Sequence, residues 1–142
     1  MTISIHCDIV SAEEEIFSGS VATLAATGQE GELGISYGHA PLLTALIPGP
    51  VRLVSDEHGE QVFYVSGGFL EVQPGVVSIL ADTALRADDV DEAAAEAARK
   101  EAEQALANQT GDFDYGRASA QLAEAAAQLA TLRKLKNRAG RG

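Results

Sequence analysis

The chain has one cysteine, no tryptophan, four prolines and 5% aromatic residues, and each scarcity removes a class of protein. A lone cysteine, Cys7, excludes an internal disulfide framework. It lies on the apolar side of an alternating run with no activating cation nearby in sequence, so a buried structural thiol is expected rather than a nucleophile. His6, His39 and His58 have no partner at i+3 or i+4, which excludes a helical metal site. No run approaches the roughly 18 apolar residues of a membrane-spanning helix. The first residues enter strand-like sequence at once, without the basic start, apolar centre and small-residue site of a secretory signal. A reducing, cytoplasmic compartment is the expectation.

Positive charge is also scarce. Ten Lys and Arg stand against 21 Asp and Glu, for a net charge of −11, which argues against general nucleic-acid binding. The distribution is more informative. Residues 1–85 contain one basic side chain, Arg52, and eleven acids. Five of the ten basic residues fall in the last ten positions, among them Arg133, Lys134, Lys136 and Arg138. Such a tip fits a solvated helix end that complements its dipole, or a dock for an acidic partner surface.

What the first half does contain is turns. All four prolines and ten of the 14 glycines precede residue 87. Between them lie short alternating or β-branched runs: residues 3–9, 20–27, 51–55, 61–66, 69–73 and 76–81. In the first, Ile3, Ile5, Cys7 and Ile9 occupy every odd position, the period of a half-buried strand. Strands of this length and spacing predict a β-sandwich or flattened barrel of about ten short strands. Gly28, Gly31 and Gly34 recur at every third position, but Glu30 and Glu32 between them would repel a phosphate. Tight turns with positive φ are the expected reason for these glycines. His39, before Ala40-Pro41, reads as a hydrogen-bonded turn residue.

The second half inverts the pattern. From Ala87 onward there is no proline, and 17 of 56 residues are alanine. Asp89 and Glu92 have capping-box spacing, which predicts a first helix from about Val90 to Ala107 with Asp89 as N-cap. A turn over residues 108–112 and a second helix from near Asp114 to about Ala139, capped by Gly140, complete an antiparallel hairpin. Tyr115, Leu122, Leu129 and Leu132 lie along one side of that helix. The first helix offers mainly alanine, so the seam should be close but weakly held.

Several stretches then occur together in a fixed order: Asp8–Ser11, Phe17–Gly19, Gly31–Ile35, Gly38–Leu43, Ser66–Val72, Leu80–Asp82 and Asp91–Ala93. Each is weak alone, but in this order and spacing the chain resembles the epsilon-subunit family of F-type ATP synthases, its bacterial members above all. The resemblance implies a non-catalytic subunit of the central rotor stalk without a cofactor, at the cytoplasmic face of the bacterial inner membrane and membrane-associated only through its complex. It implies a sandwich over residues 1–86 that binds the gamma subunit and the c-ring, and a mobile inhibitory hairpin over 87–142. By the same resemblance Glu30, Gly31 and Glu32 form the c-ring-facing loop. Ser11, His39, Ala40 and Pro41 face gamma, and Arg133, Lys134, Lys136 and Arg138 reach toward the beta subunit of the catalytic alpha/beta hexamer. Family members that bind ATP carry an arginine where this chain has Ala94, so the site at Val90, Asp91, Ala94 and Ala95 is degenerate. Two rival readings remain at this point: an unrelated sandwich adaptor with an oligomerising helical tail, and a hydrolase built on paired carboxylates.

Overall fold

The computed structural model describes residues 3–57, 59–108 and 114–140, with side chains in the last helix as far as Lys136. Ten strands come first. They are β1 (Ile5–Ser11), β2 (Glu15–Val21), β3 (Thr23–Gly28), β4 (Gly31–Ser36) and β5 (Leu42–Leu46), then β6 (Gly49–Ser55), β7 (Gly59–Val65), β8 (Gly68–Gln73), β9 (Val76–Ala81) and β10 (Ala84–Arg86). A single 3-10 turn, Ala87–Asp89, leads into helices α1 (Glu92–Ala107) and α2 (Tyr115–Gly140).

The strands form one sheet in the order β10-β7-β6-β3-β5-β8-β9-β1-β2, with β4 branching from β3. The sheet coils until its two ends nearly meet. Across the gap the Arg86 Nη2 donates to the Ile16 carbonyl at 3.2 Å, and the Phe17 ring meets Phe63 edge-on at 5.8 Å. All pairings are antiparallel except that of β1 with β9. The flattened barrel read from the sequence is therefore the observed fold.

The barrel interior follows from the period-2 rule. Ile5, Cys7 and Ile9 point inward from β1, Leu70 and Val72 from β8, and Val77, Ile79 and Ala81 from β9. All 18 buried residues of this cluster come from strands. Among the described residues the helices contribute none of it.

β7 breaks the alternation, because Val62, Phe63, Tyr64 and Val65 are all buried. Phe63 and Val65 belong to the barrel interior, while Tyr64 faces outward beneath α2. A strand covered on both faces needs such an unbroken apolar run. Tyr64, Val90 and Ala127 form a second, smaller cluster, with Leu85 and Leu132 against it. α2 thus lies on β6 and β7, and α1 packs on α2.

Three details differ from the sequence reading. Residues 20–27 are not one strand. β2 ends at Val21 and β3 starts at Thr23, and the corner is fixed by the Ala22 amide donating to Val54 at 2.7 Å. The N-cap of α1 is Asp91, whose carboxylate accepts from the Ala94 amide at 3.0 Å, and not Asp89, which lies in the 3-10 turn. The seam between the helices is alanine-rich as expected, with Ala95, Ala102, Ala118 and Ala125 buried, and Tyr115 at the start of α2 is 62% exposed. Gly140 is the last helical residue rather than a cap beyond it. His58 and most of the interhelical turn fall outside the described residues.

Candidate functional site

Among the described residues no His, Cys, Asp and Glu cluster could hold a metal ion, and no helix is long and apolar enough to cross a membrane. Burial, then the Asp8 charge, pushes the Cys7 thiol up to about 12, which leaves it protonated and inert. The chemistry on offer is that of surfaces.

The Glu30–Glu32 segment is the tip of the β3–β4 hairpin. Gly28 pairs with Gly31 across a two-residue turn of Gln29 and Glu30, and Glu32 pairs with Thr27. Glu30 and Glu32 are both exposed, so the hairpin carries its charges outward. The three glycines have three different circumstances. Only Gly31 has a positive φ, 130°. At Gly28 a Cβ would lie 2.8 Å from the Gly31 carbonyl oxygen, so close approach requires its absence. At Gly34 a Cβ would meet nothing. Positive φ accounts for one of them, not for the set.

His39, Ala40 and Pro41 are exposed on the connection into β5, and the His39 Nδ1 lies 2.7 Å from the Ala40 carbonyl. They border a cavity of about 280 Å³ that Ile5, at the start of β1, also lines. Ser11 ends the same strand, six residues on, or about 20 Å away at ~3.3 Å per residue. Its hydroxyl closes the following turn by accepting from the Glu13 and Glu14 amides at 3.3 Å. Ser11 and His39 therefore do not form one cluster. They stand at opposite ends of a shared sheet surface made by β5, β8, β9 and β1.

That outer face has a feature which site reasoning from the sequence overlooked. Val10 pairs with Leu80, Leu80 with Phe69 and Phe69 with Ala45, so four apolar residues line up across four strands. Leu80 is 57% and Phe69 54% exposed, and Leu43, two residues along β5, is 66% exposed. The signal was available in Phe69-Leu70, since adjacent apolar residues on a strand must face opposite sides.

The basic tip is dispersed. Lys136 Nζ reaches Glu92 of α1 at 3.1 Å, Lys134 is half-buried against the barrel beside Arg52 and Glu32, and Arg133 is exposed. The Arg138 side chain lies outside the described residues. At the start of α1, Val90 is buried under α2, Asp91 is spent on its cap, Ala94 is exposed and Ala95 is buried in the seam. Arg99 is bound to Glu96 at 2.8 Å and Glu103 at 3.2 Å, contacts that raise the guanidinium and lower the Glu96 carboxyl. It is not positioned to replace an arginine at residue 94.

Residues 4–87 match the family described as "ATP synthase, Delta/Epsilon chain, beta-sandwich domain", and residues 88–133 match its "long alpha-helix domain". A curated relative, the ATP synthase epsilon chain of Teredinibacter turnerae, is 64% identical over 140 residues, covering 98% of this chain and 99% of its own. Two solved chains share the fold. One, from the Euglena gracilis mitochondrial ATP synthase (OSCP/F1/c-ring, rotational state 1), is 22% identical with a TM-score of 0.74, over 96% of this chain and 81% of that one. The other, from the central stalk and c-ring of Tetrahymena thermophila mitochondrial ATP synthase, is 15% identical with a TM-score of 0.60, over 90% and 96% respectively. With both family domains matched in sequence order and a relative of this identity along nearly its whole length, the chain belongs to the ATP synthase Delta/Epsilon chain family.

Proposed function

We propose that the chain serves as a rotor-stalk subunit that joins gamma to the c-ring and restrains ATP hydrolysis through its helices. The observation that carries this reading is the apolar row Val10, Leu80, Phe69 and Ala45, in which Leu80 and Phe69 are more than half exposed. It lies on a sheet face with Ser11 beside Val10 and the His39–Pro41 connection at the far end of β5. Side chains this exposed gain nothing for the isolated fold, and burying each large one against a partner contributes about 1.5–3 kcal/mol. Gamma is the partner assigned to this face. The acidic β3–β4 tip is assigned to the c-ring, and the helices with their basic residues to the catalytic alpha/beta hexamer. The subunit itself carries out no catalysis. Its site of action is the cytoplasmic face of the bacterial inner membrane, reached through the complex and not by a span of its own.

Two substitutions test the assignment. Phe69→Glu and Leu80→Glu face outward, so the isolated subunit keeps its fold by circular dichroism. Each should abolish co-purification with gamma. Retained co-purification would move the gamma contact elsewhere. Removal of residues 88–142 tests the regulatory part: hydrolysis by the assembled enzyme should rise, and an unchanged rate would deny the helices an inhibitory role.

A further inference from the structure

Two charged residues from surfaces with separate assignments border one cavity in the structure. Lys134, near the end of α2, and Glu32, beside the β3–β4 tip, line the same small cavity with Ala25, Thr27, Pro50 and Arg52. Its volume is about 30 Å³, enough for one bridging water. Lys134 is half-buried there, although lysine rarely gives up water without a counter-charge. Arg52 makes the requirement sharper, because it places a second cation at the same spot. Its own partner, Glu60, lies at 3.8 Å and outside the cavity lining. Among the described residues that line the cavity, Glu32 is the one carboxylate.

We propose that Glu32 holds the C-terminal part of α2 on the barrel through Lys134, so that engagement of the β3–β4 tip and docking of α2 are linked. While Glu32 is free, it offsets the repulsion between Lys134 and Arg52. When a cationic or hydrogen-bonding partner group takes Glu32, Lys134 is left facing Arg52 and α2 loosens. Linkage is reciprocal, so release of α2 also strengthens binding at the tip. The juxtaposition of Lys134, Arg52 and Glu32 rests on the cavity they share. Its regulatory meaning rests on the reading of the tip as a partner-facing loop.

Native-state hydrogen exchange on the full chain, at low salt and without partners, tests the contact. Glu32→Lys, which gathers three cations at the cavity, should speed exchange of the α2 amides between 127 and 135 by about two- to fivefold, the scale of a surface ion pair. Lys134→Glu, which exchanges the repulsion from Arg52 for an attraction, should change it less. The double charge reversal, Glu32→Lys with Lys134→Glu, should return exchange toward the parent rate. Raising salt to about 1 M, where the screening length is ~3 Å, should erase the differences. Additive effects in the double variant would overturn the proposal. So would an equal effect of Glu30→Lys, which changes the same net charge outside the cavity. The amides of β9 serve as an internal reference for intact folding. Because no partner is present, these outcomes are independent of whether the tip meets a c-ring, which co-purification decides separately.

Discussion

Single residues show where the backbone and burial leave no choice. Gly68 starts β8 with φ at 133°, and a Cβ there would lie 2.9 Å from the Ala81 Cα and closer still to the Leu80 carbonyl oxygen. Gly68→Ala should lower stability by about 2–4 kcal/mol, from strained backbone plus a clash that cannot relax. Gly34→Ala, with open space and no positive φ, should stay within about 0.5 kcal/mol in the same urea titration. Cys7 gives a pH signature. Its thiol titrates at 9.0 when free and at about 12 when folded, because burial and the Asp8 charge disfavour the thiolate. The unfolded chain then releases a proton that the folded chain keeps. Stability is therefore intact below pH 9 and falls from there toward pH 12, by roughly 4 kcal/mol over the whole interval. Tyr64 adds a fall that begins only near pH 10, since burial and Glu124 raise its hydroxyl to about 12. Urea midpoints of the parent and Cys7→Ala should diverge in slope between pH 9 and 10, where the variant stays flat. The buried thiol was legible in the sequence, as the odd-numbered apolar positions of β1 place it inward. The reason for each glycine was not, because composition alone does not distinguish a positive φ from a close approach.

At the level of elements, the start of α1 shows how tertiary contact overrides a local signal. Asp89 and Glu92 have the spacing of a capping box, yet Val90 is extended, with φ −79° and ψ 126°. Its side chain is buried against Tyr64 and Ala127, so the helix cannot begin before it has been set down there. Asp91, one residue beyond, takes the cap. Asp91→Ala should cost about 0.5–2 kcal/mol and speed exchange in the first turn of α1, whereas Asp89→Ala should change neither. Equal effects from both substitutions would return the cap to a shared or alternating arrangement. Sequence period gave the type and extent of both helices closely, because alanine content and absence of proline act locally. It also placed mostly alanine at the seam between them. The structure packs alanine against alanine there, since small side chains let the two helices approach more closely than a tyrosine would allow. The outward row at Phe69 and Leu80 is the complementary case: the strands were legible, but which apolar residues remain uncovered depends on what packs outside them.

For the whole molecule, the division of buried surface decides how the parts depend on one another. The barrel core of 18 residues lies wholly within strands, so the barrel owes its interior to no helix. α2 adds only the small cluster around Tyr64, and α1 finds its principal contacts on α2, with no strand packed substantially against it among the described residues. The dependence therefore runs one way, from barrel to α2 to α1. A chain ending at Ala87 should still unfold cooperatively in urea and retain its strand signal by circular dichroism. It should bind a hydrophobic dye more strongly, because Tyr64 and Leu85 lose their cover. In the intact chain, exchange should be slowest in the inner strands, faster in α2 and fastest in α1, with the helices approaching the barrel's protection only if their seam is stronger than alanine contacts allow. A weakly held hairpin on a self-sufficient barrel is what a subunit needs if its helices are to leave while the barrel keeps its place. If the truncated chain lost cooperative unfolding, the helices would instead be part of the core, and their departure would cost the fold itself.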